Sequence, residues 1–166
     1  WSEALLTAAE KISPDINLHS YRKDFRQVTT FTIDPFDAKD FDDALSVQKN
    51  KLGQWEIGVH IADVSHYVEE HSALDKEALR RGNPVYLVDR VLPMLPEKLS
   101  NHLCSLRPKE DKYTFSVVFT LDQQFKIINH WIGKTLIHSD HRFTYEDVQE
   151  ILDGKEGPFK SELTLL

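Results

Sequence analysis

Val28-Thr29-Thr30-Phe31-Thr32-Ile33-Asp34-Pro35 is the run that decides the fold class. It is rich in β-branched residues, which suit a pleated, half-buried surface, and it stops at Asp34-Pro35 because proline cannot donate to a ladder. Working outward, Ala44–Gln48 is a second short strand and Lys51-Leu52-Gly53-Gln54 a turn. Trp55–Ile61 follows, with Trp55, Ile57, Val59 and Ile61 alternating onto one face. That spacing predicts a hairpin with this side well buried. Val85–Val88 makes a further short strand, and Tyr113–Leu121 pairs with Ile127–Ile137 around Asp122-Gln123-Gln124.

Helices fall between these strands. Residues 73–81 form one, with Ser72 and Asp75 as a capping box and Arg80-Arg81 before Gly82 at its end. Pro96 opens another, with Leu99, Leu103 and Leu106 along one side. Tyr145 to about Leu152 forms the last, capped by Thr144 and Asp147 and stopped by Gly154. Leu5, Leu6, Ala8, Ala9 and Ile12 make an amphipathic start, and the charged run Tyr21-Arg22-Lys23-Asp24-Phe25-Arg26 reads as a linker. The expected organisation is a lead-in helix and linker over 1–27 and one α+β body over 28–166. That body is a largely antiparallel twisted sheet of hairpins with a few flanking helices.

Bulk properties narrow the function. With 166 residues and 40% apolar content the chain can bury a sizeable core. Its net charge of −7 argues against a general RNA-coating module, which needs a basic face. The single Cys104 excludes a disulfide framework and a thiolate-rich zinc site, and points to a reducing, cytoplasmic setting. No apolar stretch approaches the ~20 residues of a membrane span. The chain lacks an initiator Met and reads as a fragment.

Five aspartates crowd the segment Asp34-Pro35-Phe36-Asp37-Ala38-Lys39-Asp40-Phe41-Asp42-Asp43. Ile33, Phe36, Phe41, Ala44 and Leu45 interrupt them and should anchor the loop at the rim of a core. Like charges so held repel unless a cation sits between them. Oxygen-only ligands select hard ions, so Asp34, Asp40, Asp42 and Asp43 are candidate ligands for magnesium, with manganese as a substitute. Such a site serves phosphodiester hydrolysis by activating water and stabilising the leaving oxygen. The same residues also suit a solvated acidic turn with no ion, and charge and spacing alone leave both readings open. An EF-hand calcium loop is excluded, because the required Gly and Glu positions are not met. His60 and His66, or His138 and His141, lack the partners of a zinc site, and His60 reads as a packed or hydrogen-bonded strand residue. Asp63 reads as a cap or turn residue, and Cys104 as a small buried apolar one.

Flanking motifs add a resemblance. Asp34 followed by Asp40-Phe41-Asp42-Asp43 resembles the signature of the catalytic RNB domain in the ribonuclease II/ribonuclease R family. Also matching are Arg22-Lys23-Asp24-Phe25-Arg26, His60-Ile61-Ala62-Asp63-Val64-Ser65, Val85-Tyr86-Leu87, Pro93-Met94-Leu95-Pro96, and Leu99-Ser100-Asn101-His102-Leu103-Cys104-Ser105-Leu106. The match covers roughly residues 20–152 and is closer to the ribonuclease R type.

The resemblance implies magnesium-dependent, processive 3′→5′ hydrolysis of RNA to nucleoside 5′-monophosphates. It implies Asp34 and Asp43 as direct metal ligands, Asp40 as a ligand through water, and Asp42 as the carboxylate most directly needed for cleavage. Tyr86 and Tyr145 are implied RNA contacts near the 3′ end of a single strand. It further implies a monomeric parent protein with OB-type RNA-binding domains and no membrane association. Two departures stand out. Pro84 replaces a residue that is more often small and polar. The family's later glutamate, arginine and phenylalanine have no counterpart here. An inactive RNA-binding or regulatory module of the same fold is the competing reading; such a module should have lost cluster aspartates, and all four are present.

Overall fold

A computed structural model describes all of residues 1–166. Its elements in chain order are α1 (Glu3–Glu10), β1 (Lys23–Asp24), β2 (Thr30–Asp34), β3 (Asp43–Lys49), β4 (Trp55–Ala62), α2 (Ala73–Arg81), β5 (Val85–Tyr86), β6 (Val91–Leu92), β7 (Asp111–Leu121), β8 (Ile127–His138), β9 (His141–Thr144), α3 (Tyr145–Leu152) and α4 (Lys160–Leu165). A short 3-10 helix spans Val64–His66 and a π-helical stretch spans Lys98–Leu103. Seven strands form one sheet in the order β1-β8-β7-β4-β3-β2-β9, and β5 and β6 make a separate ribbon.

Local chemistry explains the hairpins. β3 and β4 pair antiparallel from Asp43↔Ile61 to Lys49↔Trp55. Their turn is closed by Asn50, whose Oδ1 accepts from the N–H groups of Leu52 and Gln54. Asp122 does the same between β7 and β8, accepting from Gln124 and Lys126. The centre of the sheet is thus antiparallel, as expected. Both edges differ: β1 joins β8 in parallel, and β9 joins β2 in parallel. The run read as a linker therefore supplies an edge strand, and Arg22 and Phe25 are buried beside it.

The buried face of β4 is the opposite of the one expected. Gly58, His60 and Ala62 are buried, whereas Trp55, Ile57 and Val59 are half-buried and Ile61 is 49% exposed. The main core, with Phe25, Phe41, Leu99, Leu106 and Leu136, covers the His60 side. The Ile61 side is covered only toward β2 and β9, where Ile151 of α3 and Leu163 of α4 pack on Phe31 and Phe143. Alternation shows which residues share a face but not which face the helices will cover.

His60 is wholly buried, with Nδ1 2.7 Å from Ser116 Oγ and Nε2 2.8 Å from Ser46 Oγ. Ser116 continues the chain of hydroxyls to Thr135 at 2.6 Å. A Cβ at Gly58 would collide with Ser46 Oγ and His60 Nε2, so glycine is required for this approach. Burial drives the His60 pKa down to about 4.

Among the helices, α2 and α3 have their expected bounds, and Thr144 and Asp147 form a complete capping box. Ser72 accepts from Asp75 N–H, but Asp75 turns back to His71 N–H instead of Ser72. No helix is long and apolar enough to cross a membrane.

Candidate active site

The aspartates sit where the sheet hands the chain from one strand to the next. Asp34 is the last residue of β2, Asp43 is the first of β3, and Asp40 and Asp42 lie on the loop between. Asp34 is 8% exposed, Asp40 is half-buried, and Asp42 and Asp43 reach solvent. The Asp34 carboxyl is raised above the usual carboxylate range, chiefly by burial. Asp43 and Asp40 raise it further, against the opposing influence of Thr32 and Arg142. Asp42, though exposed as a residue, is raised too, first by burial of its carboxyl and then by Asp40, Asp43 and Asp34. The four carboxylates therefore share one electrostatic field.

Asp34 Oδ2 is buried and has no hydrogen-bond partner, and nearby Thr32 Oγ1 is also without an aligned partner. A buried carboxylate oxygen left bare costs on the order of 1–3 kcal/mol or more, and a cation would recover it. The donor set is oxygen only, which fits a hard ion. No three histidine, cysteine or carboxylate side chains converge closely enough to cage an ion by themselves. Magnesium does not need such a cage, since it keeps several waters and binds through one or two carboxylates plus substrate phosphates.

A cleft of about 630 Å³ opens beside the loop. It is lined by Asp40 and Asp42, by Val64 and Ser65 of the 3-10 helix, and by Pro93 and Met94. Asp34 and Asp43 are not in its lining. Tyr86, on the β5–β6 ribbon, is 68% exposed. Burial raises its hydroxyl pKa, and Asp40 and Asp42 raise it further, although Tyr86 itself does not line the cleft. Tyr145 is 58% exposed and opens α3, next to Thr144, the β9 residue level with Asp34. It makes no side-chain hydrogen bond and does not line the cleft.

The histidine pairs separate. His138 Nδ1 bonds Asp111 at 2.8 Å, whereas His141 packs on the Phe143 ring. Cys104 is buried, its thiol pushed up to about 12 by burial. Asp63 does not cap. It accepts from Arg22 Nη2 at 2.6 Å and Ser65 Oγ at 2.7 Å, and pairs with Lys134 at 3.1 Å. Burial alone would raise Asp63, but these three donors outweigh it and hold its pKa low. Both partners of the Arg22–Asp63 pair lie in motifs visible in the sequence, 41 positions apart, and nothing local couples them.

Residues 22–164 match the family model described as RNB domain. The chain belongs to the RNB-domain family. Ribonuclease R 1 of Lactococcus lactis subsp. lactis is 48% identical over 140 residues, covering 84% of this chain and 17% of that protein. Ribonuclease R of Thermotoga maritima is 51% identical over 144 residues, covering 84% and 20%. This RNB chain thus spans about a fifth of the length of the curated relatives it matches. Mycoplasma genitalium RNase R, solved in complex with ribose methylated single-stranded RNA, superposes with a TM-score of 0.87 at 33% identity. That match covers 99% of this chain and 26% of that one. Yeast Ssd1, described as a pseudonuclease, superposes at 0.77 with 29% identity over 90% of this chain and 19% of its own.

Proposed function

We propose that this RNB chain is the metal-bearing part of a magnesium-dependent, processive 3′→5′ exoribonuclease that hydrolyses single-stranded RNA to nucleoside 5′-monophosphates. The observation that carries the reading is the Asp34 carboxylate, buried with one bare oxygen and electrostatically coupled to Asp40, Asp42 and Asp43. Asp34 and Asp43 would hold magnesium directly and Asp40 through water, with Asp42, at the cleft wall, the carboxylate most directly needed for cleavage. Manganese would serve in its place. When bound, the ion supplies water activation and charge neutralisation at the leaving oxygen. Tyr86 offers an exposed ring against the 3′-terminal nucleotides, and Tyr145 a second ring near the aspartates. The lone buried thiol is consistent with a reducing, cytoplasmic protein. A monomeric parent with OB-type domains completes the proposal, and residues 1–166 alone should show little activity.

The test is a single-turnover assay on the intact protein with magnesium and 3′- or 5′-labelled RNA. Nucleoside 5′-monophosphates should be released from the 3′ end, and Asp42→Asn should abolish release. Uncut RNA would favour the second reading, an inactive RNA-binding or regulatory module, which the likeness to a pseudonuclease supports. Cleavage unchanged in Asp42→Asn would remove the role given to Asp42.

A further inference from the structure

The loop that carries the aspartates, residues 35–42, is tied down by two side chains outside it. At its far end Ser105 is wholly buried and straddles Asp40. Its Oγ accepts from Phe41 N–H at 3.0 Å and donates to the Lys39 carbonyl at 2.9 Å. Leu106 N–H adds a bond to the Phe41 carbonyl at 2.8 Å. The peptide groups on both sides of Asp40 are thereby fixed to one residue, and the Asp40 side chain lines the cleft.

At the near end Arg142 of β9 donates through Nη2 to the carbonyls of Pro35 and Phe36, the latter at 2.9 Å. Its guanidinium carbon stands 5.5 Å from the centroid of the Phe41 ring, so one side chain touches both arms of the loop. Inside the loop, the turn bond from Ala38 N–H to the Pro35 carbonyl is the loop's own tether.

Four like charges on so short a segment repel, and a free loop would swing them apart into water. Metal affinity depends on outer groups that fix the ligands before the ion arrives. We infer that Ser105 and Arg142 are positioning residues that hold the Asp34–Asp43 loop in its ion-receiving shape. Neither supplies an oxygen to the ion. The inference rests on the reading of the aspartates as a cation site.

The test uses the full chain without RNA. Mn²⁺ is titrated while free Mn²⁺ is read by electron paramagnetic resonance, and amide exchange at Phe41 is followed in the metal-free protein. Thermal melts fix a temperature at which each variant is folded. Ser105→Ala and Arg142→Lys should each weaken Mn²⁺ binding by about tenfold or more, and Ser105→Ala should speed exchange at Phe41. Leu163→Ala, which loosens the core under α4 without touching the loop, should lose stability but keep its Mn²⁺ affinity. Folded Ser105→Ala and Arg142→Lys variants that bind Mn²⁺ like the unaltered chain would overturn the inference. If Ser105→Ala does not fold, the half-buried Arg142→Lys decides alone. An unaltered chain that binds no Mn²⁺ overturns the cation reading itself, and this inference with it, so the two failures are distinct.

Discussion

His60 should make this domain acid-sensitive in a defined window. Free histidine titrates near 6.5, whereas burial holds His60 neutral down to about 4. The unfolded chain therefore takes up a proton first as pH falls, and the folded state loses ground. The stabilisation is fully present above pH 6.5 and is lost between about 6.5 and 4. A shift of roughly 2.5 units at 1.36 kcal/mol each corresponds to about 3 kcal/mol, or a melting temperature lower by about 6–12 °C for a domain of this size. Asp34 and Asp42 have raised carboxyls, so they act with the opposite sign in part of this window. The comparison must therefore be a difference. Urea unfolding followed by circular dichroism, every half unit from pH 7.5 to 4, would be run on the native chain and on His60→Gln. Glutamine keeps polar contact with Ser46 or Ser116 but cannot titrate. The gap between the two stabilities should close or invert by about 3 kcal/mol toward pH 4. Parallel curves, or a His60 imidazole NMR signal titrating near pH 6.5, would refute the argument.

Other outcomes follow from the same structure. Asp34→Asn should raise the melting temperature of the metal-free chain, because it removes a buried charge held among three others, and should abolish stabilisation by added Mg²⁺; scanning fluorimetry reads both. Asp63→Asn leaves Arg22, whose side chain is wholly buried, without its ion partner. It should cost about 3 kcal/mol in chemical denaturation, and a loss under 1 kcal/mol would refute the pairing. Tyr86→Ala, at an exposed position, should change stability by no more than about 0.5 kcal/mol. It should weaken binding of a single-stranded RNA 3′ end by the intact protein, measured by fluorescence anisotropy. Cys104 should resist a thiol reagent at pH 8 in the folded chain and react once unfolded, because its thiolate is suppressed by burial.

Much of this protein is legible in one dimension. The central strands, α2, α3 and their caps depend on near neighbours: β-branched runs, an Asn or Asp at a turn, a Thr three residues before an Asp. The aspartates could be singled out for the same reason, since all four lie within ten residues. What escaped is non-local. β1 and β9 are too short to carry a period, and exist because β8 and β2 offer free edges. α4 lacks a capping side chain and depends on Leu163 finding Phe31 and Phe143. The covered face of β4 was set by where α1, the π-helical stretch and the 22–25 segment pack, which alternation cannot express. At the site itself, sequence supplied the carboxylates and their spacing. Only the tertiary structure decided which of them is buried, which line the cleft, and that Ser105 and Arg142 hold them, because residues so distant in the chain meet only when the sheet closes.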